Sequence, residues 1–156
     1  MQLTAVHFTY AGFVTTVLAA RAWHRRPRDR AAVTSVVATA AAPPVIAVGF
    51  AWVGVLQVVG ALALTVGTWA LAWTTLRRIV PEAPRPAAWC LGSSSVIVLV
   101  PMLLAVQWAV GANLGTPALT VPQMAATHGV ANASGFCLLG VLGWRMLDRD
   151  TTEETV

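Results

Sequence analysis

The sequence predicts an all-α integral membrane protein, built as a bundle of five transmembrane helices. Two observations predict this fold class. First, 57% of the 156 residues are hydrophobic and only 10% are charged, whereas soluble domains carry about 25% charged residues. Second, charged segments and polar or proline-containing loops divide the chain into apolar runs of about 20 residues, the length that an α-helix needs to cross a bilayer. We therefore expect the lipid bilayer to surround most of this chain.

The first three predicted spans cover residues 3–23, 31–52 and 55–76. Positive charge follows the first span instead of preceding it, which favours a retained helix over a signal peptide. The second span carries Pro43 and Pro44 near its middle, where they could bend the helix and open a cavity or simply kink it. Residues 50–56 offer little polar material, so we expect a tight turn there; a merged, re-entrant segment is the alternative.

The last two predicted spans cover residues 87–110 and 121–147, joined by a loop at 111–122 that contains Gly, Asn and Pro. The prediction is thus one five-helix transmembrane domain, residues 1–147, followed by a polar cytoplasmic tail, residues 148–156. A chain of this length is too short to hold a sizeable soluble part beside the bundle. We therefore expect the function to lie within the helices or their short loops.

The arginines predict the orientation. All ten basic residues are arginines, and five spans place every one of them on the same side of the membrane. The positive-inside rule assigns that side to the cytoplasm, which gives a multi-pass protein of the cytoplasmic membrane with its N-terminus outside. This placement explains the net charge of +4 without a nucleic-acid partner. The ten positions are Arg21, Arg25, Arg26, Arg28, Arg30, Arg77, Arg78, Arg85, Arg145 and Arg149.

Polar side chains inside the apolar runs predict a site. His7 and His128 lie near the outer ends of the first and fifth spans, and an ionisable group at membrane depth is a functional-site hypothesis by default. Tyr10 follows His7 by three residues and Asn132 follows His128 by four, so each shares its histidine's helical face. Gln107 lies at similar depth in the fourth span. These side chains could converge, or each histidine could simply pin two helices together.

General acid–base catalysis is the chemistry that best suits these residues. Histidine titrates near neutrality, and a neighbouring tyrosine or amide can orient it or hold a developing oxyanion. Two histidines without a carboxylate or thiolate are an incomplete zinc set, so we expect neither a metal nor another cofactor. The partner would be a lipophilic small molecule entering from the membrane. Trp69, which lies deeper than the other six tryptophans, could face the same pocket or pack between helices.

Two segments of the sequence resemble the YndJ-like bacterial membrane proteins. They are HFTYAGF at residues 7–13 and THGVANASGF at residues 127–136, with a weaker continuation at 142–144. Members of this family are often longer, so the chain resembles a stand-alone C-terminal half. The resemblance implies a multi-helix membrane fold and, from the label given to some members, transport of a small molecule. It marks as motif positions His7, Tyr10, His128 and Asn132.

The predicted site is compatible with two main activities. The first is a membrane-embedded cyclase or isomerase acting on a terpenoid or polyketide-derived substrate, for example by opening an epoxide. The second is a transporter or binding component, although an odd number of helices without an internal repeat is unusual for a carrier. An assembly subunit is a third alternative, and the chain could form a homo-oligomer. For the enzyme, we expect the catalytic residues to be His7 and His128, and the substrate-binding residues Tyr10, Gln107, Asn132 and Trp69.

Overall fold

The computed structural model describes residues 12–153, and the regular structure in that range is helical, without a strand among those residues. The all-helical prediction is therefore confirmed. The last four helices are each long and apolar enough to cross a membrane, whereas part of the first predicted span, residues 3–23, lies outside the described residues. The helices in chain order are α1 (Phe13–Arg25), α2 (Arg30–Ala51), α3 (Gly54–Glu82), α4 (Arg85–Leu114) and α5 (Val121–Asp150).

The helix ends lie close to the predicted span ends. Because α2 ends at Ala51 and α3 begins at Gly54, the predicted tight turn is present and the two spans are separate helices. α3 continues beyond residue 76 through a π-helical turn at Thr75–Ile79 and a short 3₁₀ turn. α5 also continues beyond its predicted end, and its backbone stays helical to Glu153, through a segment predicted to be a polar tail.

Glycines allow α2 and α3 to pack with their backbones almost in contact. A Cβ atom at Gly49 would lie 2.2 Å from the backbone nitrogen of Gln57, and one at Gly60 would lie 2.4 Å from Cγ1 of Ile46. At Gly67 the nearest atom would be 2.8 Å away. In lipid no hydrophobic force drives helices together, so small residues that permit close van der Waals packing hold them instead. We refer to Gly49, Gly60 and Gly67 as the glycine seam.

α4 and α5 are both interrupted near their middles. Pro101 lacks the N–H group that would bond to the preceding turn of α4, and the regular helix is broken at Val98. α5 contains two π-helical segments, Ala125–Gly129 and Ala131–Leu138. Such segments are rare and frequently occur at functional sites. The irregular backbone therefore points to this pair of helices as the place to look for a site.

Contacts between α4 and α5 rely on side chains as well as on small residues. The Ser94 hydroxyl donates a hydrogen bond to the carbonyl oxygen of Phe136 at 2.8 Å. A Cβ atom at Gly135 would lie 2.6 Å from Cγ2 of Ile97, which is a side-chain atom, whereas the closest atom at Gly49 belongs to the backbone. The contact between α4 and α5 therefore combines a side-chain hydrogen bond with close packing at a glycine.

Charged side chains gather at one end of the bundle. Arg26 pairs with Glu82, which joins the end of α1 to the end of α3, and Arg21 pairs with Asp148, which joins α1 to α5. The arginine-bearing segments and the end of α5 thus meet at one end of the described bundle. Trp144 of α5 is only 3% exposed and packs beneath the side chains of Arg21 and Arg25. We refer to this part of the bundle as the charged end.

Candidate functional site

A cavity of about 420 Å³ lies inside the bundle, in the half away from the charged end. All five helices contribute to its wall, and most of the lining side chains are apolar. Its volume falls within the range of about 300–1,000 Å³ that is typical of pockets for small molecules. The polar side chains in its wall are Thr15, Gln57, Thr68, His128 and Asn132.

The lining residues recur at helical spacing on the central helices. Steps of four, three and four residues keep successive side chains on one face of an α-helix, and both α3 and α4 follow this pattern in the cavity wall. Most of the side chains in the two stripes are small, which leaves the space that the cavity occupies. The stripe on α3 is Gln57, Ala61, Leu64 and Thr68, and that on α4 is Val98, Met102, Ala105 and Ala109.

His128 joins the irregular parts of α4 and α5. It lies in the first π-helical segment of α5 and is 6% exposed, and its Nδ1 atom is 2.7 Å from the carbonyl oxygen of Pro101 on α4. Because a carbonyl oxygen only accepts hydrogen bonds, Nδ1 carries the hydrogen and donates it. In a neutral imidazole, Nε2 is then the nitrogen that holds the lone pair. Proton transfer by His128 would therefore occur at Nε2.

Asn132 lies one helical turn after His128, and its side-chain oxygen is a buried acceptor that no described residue satisfies. Its Nδ2 atom is 3.1 Å from Nε2 of His128, so the amide donates to the imidazole. The Oδ1 atom is buried and accepts no hydrogen bond from any residue between positions 12 and 153. An unsatisfied buried acceptor costs about 1–3 kcal/mol. A hydroxyl or N–H group of a ligand would remove that cost by donating to Oδ1.

The amide of Asn132 can serve His128 in either protonation state. With Nδ2 towards the ring, the amide donates to the lone pair of a neutral imidazole. Rotation of the amide by half a turn exchanges Nδ2 for Oδ1, which would then accept the Nε2–H of an imidazolium. The pair can thus hold a proton or release it with no further polar side chain.

The structure brings together some of the predicted site residues and separates others. His128 and Asn132 both line the cavity. His7 and Tyr10 lie outside the described residues. Gln107 is exposed on α4, and Trp69 is 37% exposed on α3. Neither of these two lines the cavity, so the expected convergence of Gln107 and Trp69 with His128 is not found.

The residues adjacent in sequence to Gln107 and Trp69 line the cavity instead. Trp108 lines the cavity beside Gln107, and Thr68 lines it beside Trp69, because adjacent residues of a helix point about 100° apart. Besides Asn132, the amide that reaches the cavity is that of Gln57 on α3, which is 8% exposed. The stripe of small and polar residues on α3 was the signal that could have identified it.

The titratable chemistry of the described wall is concentrated in one residue. Among the lining residues that the structure describes, His128 is the only titratable one. Across residues 12–153, no three His, Cys, Asp or Glu side chains lie together as a candidate metal site. The described cavity therefore offers one imidazole, two amides and two hydroxyl groups to a ligand.

The fold and the cavity define a class of protein: a small helical bundle, apolar enough for a membrane, with an internal cavity whose wall is mostly apolar. The model of the YndJ-like family matches residues 1–136, and the chain belongs to that family. The match includes both segments that carry the resemblance in the sequence, so the predicted family is confirmed. No curated protein and no solved structure matches the chain.

Proposed function

We propose that the protein crosses the cytoplasmic membrane five times, with its N-terminus outside and its charged end in the cytoplasm. Four described helices are long and apolar enough to span a bilayer. The ion pairs of the charged end join the segments that carry the arginines, and positively charged loops are retained in the cytoplasm. In this orientation the cavity lies in the outer half of the bilayer and receives its ligand from there.

We further propose that the cavity is the active site of a cyclase or isomerase for a lipophilic substrate, of terpenoid or polyketide-derived type. The observation that carries this proposal is the pairing of His128 with Asn132 in the wall of an apolar cavity of about 420 Å³. An apolar wall favours a substrate that partitions into lipid, and the buried Oδ1 atom of Asn132 would accept a hydrogen bond from it. His7 and Tyr10, from the other motif of the family, are proposed to complete the site.

Epoxide opening is a reaction that this pair could perform. The imidazolium of His128 gives its Nε2 proton to the epoxide oxygen as one C–O bond breaks, and the electron pair of that bond stays on the oxygen. A hydroxyl group of the same molecule then attacks the electron-deficient carbon and loses its proton to Nε2. The product has the same formula as the substrate, and His128 is again protonated. Rotation of the Asn132 amide follows the proton at each step.

A binding or transport role is the second candidate. It is favoured by the hydrogen bonds of both ring nitrogens, because Nδ1 of His128 contacts Pro101 and Nε2 contacts Asn132. A ring held in this way can join α4 to α5 without reacting. The ligand would then occupy the same cavity and leave it with its covalent structure unchanged.

Ligand capture by variants distinguishes the two candidates. The wild type, His128→Gln and a matched control, His24→Gln at the exposed charged end, would be purified in mild detergent from the native host. Lipophilic molecules retained by each would be extracted and identified by mass spectrometry. Glutamine can still donate to the Pro101 carbonyl, so this variant keeps the contact between α4 and α5.

We expect His128→Gln to retain a lipophilic molecule that the wild type and His24→Gln convert, on addition, to an isomer of equal mass. Conversion by His128→Gln at the wild-type rate would overturn the catalytic proposal. Retention of the same molecule by all three proteins without conversion would support the binding or transport role. Retention by none of them would contradict both.

A further inference from the structure

A second cavity, of about 520 Å³, lies at the charged end in the groove between α1 and α5. Its upper part is formed by Arg21 and Arg25, one helical turn apart on α1, and its floor includes Trp144 of α5. Val17 continues the wall of the groove along α1 towards the middle of the bundle. Positive charge thus lies above apolar surface within one groove. The cavity around His128 shares none of these residues.

The two arginines are held in place by the tryptophan. The guanidinium carbons of Arg21 and Arg25 lie 5.1 and 5.5 Å from the centroid of the Trp144 ring, within the range of a cation–π contact. Each guanidinium has five N–H donors in a rigid plane. The carboxylate of Asp148 pairs with both arginines, and it contacts one nitrogen of each, so donors remain on both side chains.

Charge favours an anion in this groove. Two arginines and one aspartate leave an excess of one positive charge. Arginine is the residue best suited to phosphate, because its planar fork matches two phosphate oxygens at once. Both arginine side chains are partly exposed, so an anion can reach them.

We propose that this groove binds the headgroup of an anionic phospholipid, with the phosphate at Arg21 and Arg25 and an acyl chain along the face of α1 that carries Val17. Basic pockets between helices at the cytoplasmic surface are a recurrent form of lipid recognition. The apolar wall argues for a lipid over a free phosphate, since a soluble anion would gain nothing from Val17. This proposal rests on the membrane orientation proposed above and is independent of the chemistry at His128.

Lipid retention by the full-length protein tests the proposal. Purified protein in mild detergent would be titrated with dioleoylphosphatidylglycerol, with dioleoylphosphatidylcholine, and with glycerol phosphate as the soluble anion. Bound lipid would be counted by native mass spectrometry. We expect the anionic lipid to be retained in preference to the zwitterionic one, and glycerol phosphate at equal concentration to leave its retention unchanged.

Comparison of lipid retention by variants tests whether the lipid binds in this groove. Replacing both arginines, in Arg21→Gln/Arg25→Gln, should weaken retention of the anionic lipid about tenfold or more, because each arginine near an anionic surface contributes roughly a fivefold factor. The matched control is Arg28→Gln/Arg85→Gln, which removes the same charge from exposed positions at the same end outside the groove. We expect this control to retain the lipid.

If Arg21→Gln/Arg25→Gln does not fold, lipid retention by Asp148→Asn provides a second test. It removes the carboxylate that competes for the guanidinium donors, so it should increase retention of the anionic lipid. Equal retention of the two lipids by the wild type would overturn the proposal, and so would a loss in the control variant equal to that in Arg21→Gln/Arg25→Gln. Displacement of the lipid by glycerol phosphate would show that the groove binds a soluble anion, which would also overturn the proposal. None of these outcomes bears on conversion of the His128 ligand, which is measured separately.

Discussion

The pair α2 and α3 differs from the pair α4 and α5 in how its helices pack. α2 and α3 meet through the glycine seam, and most of their length is regular α-helix. α4 is broken at Val98 and α5 contains two π-helical segments, and the His128–Asn132 pair lies on the irregular side. The first pair fixes backbone against backbone, whereas the second leaves space between helices and fills part of it with polar side chains.

This difference links backbone irregularity to the candidate site. In lipid, backbone that departs from the α-helix is tolerated where it lines a cavity or where another group satisfies its polar atoms. The hydrogen bond from His128 to the Pro101 carbonyl joins α4, one turn after its break at Val98, to the π-helical part of α5, and His128 lines the cavity. We infer that the glycine seam supplies the rigid frame against which the cavity side can adjust.

The largest expected effect comes from adding a single methyl group to the seam. In Gly49→Ala the new Cβ atom would lie 2.2 Å from the backbone nitrogen of Gln57, so α2 and α3 must separate. We expect the free energy of unfolding to fall by more than about 3 kcal/mol, the upper part of the range for overpacking. Denaturation by SDS in mixed micelles would measure it.

Gly92→Ala is the control for that substitution. No atom lies within 4 Å of a Cβ built at Gly92 on α4, so the added methyl meets open space. We expect its unfolding free energy to stay unchanged or to rise by up to about 1 kcal/mol, because alanine is the better helix former. Similar losses at both positions would show that the glycine seam has no special role.

The second largest effect concerns the polar pair of the cavity. In His128→Leu the Asn132 amide stays buried and loses its hydrogen-bond partner. We therefore expect the free energy of unfolding to fall by about 2 kcal/mol. The double variant His128→Leu/Asn132→Leu should lose less than the single one, since no amide is stranded. A double-mutant cycle measures the coupling, and additive losses would contradict the assigned hydrogen bond.

A smaller effect is expected at the direct contact between α4 and α5. Ser94→Ala removes the hydrogen bond to the carbonyl oxygen of Phe136, and such bonds between membrane helices contribute about 0.6 kcal/mol on average. Ser134→Ala is its control, because that hydroxyl bonds only within α5, to the Val130 carbonyl. Unfolding in SDS should distinguish the two variants. A larger loss at Ser134 than at Ser94 would refute the comparison.

The smallest change in stability is expected for Asn132→Leu. The substitution loses the amide bond to His128 but also removes the buried, unsatisfied Oδ1 atom, so the two effects oppose each other. We expect unfolding free energy to change by less than about 1 kcal/mol, while retention of the lipophilic ligand falls at least tenfold. A variant that retained its ligand would exclude Asn132 as the ligand's acceptor.

Span boundaries were predictable because they depend on where polar residues occur along the chain. The start of α5 at Val121 follows the loop at 111–122, whereas the turn before Gly54 has little polar material and a merged segment had stayed open as an alternative there. Which side of a helix faces the cavity was less predictable, because it depends on the rotation of each helix against its neighbours. That is why Gln107 was expected in the wall and Gln57 was found there.

The effect of a proline on its helix was likewise difficult to predict from the sequence. Pro43 and Pro44 were predicted either to bend the second span and open a cavity or simply to kink it; α2 is continuous through both, and Pro43 lines the cavity. Pro101 drew no attention in the sequence, although α4 is broken beside it and its carbonyl accepts from His128. Whether a proline interrupts a helix depends on the partners available to the freed backbone groups, and those partners come from distant parts of the chain.

The short connection between α2 and α3 also bears on how the protein is made. No charged residue lies between Arg30 and Arg77, and only Trp52 and Val53 separate the two helices. During synthesis these helices can enter the bilayer together as one hairpin, since no charge has to be translocated. The segment between Arg85 and Arg145 is equally free of charge and can follow as a second hairpin. Biogenesis would then proceed in pairs of helices, with the arginines at the base of each pair left on the side of the ribosome.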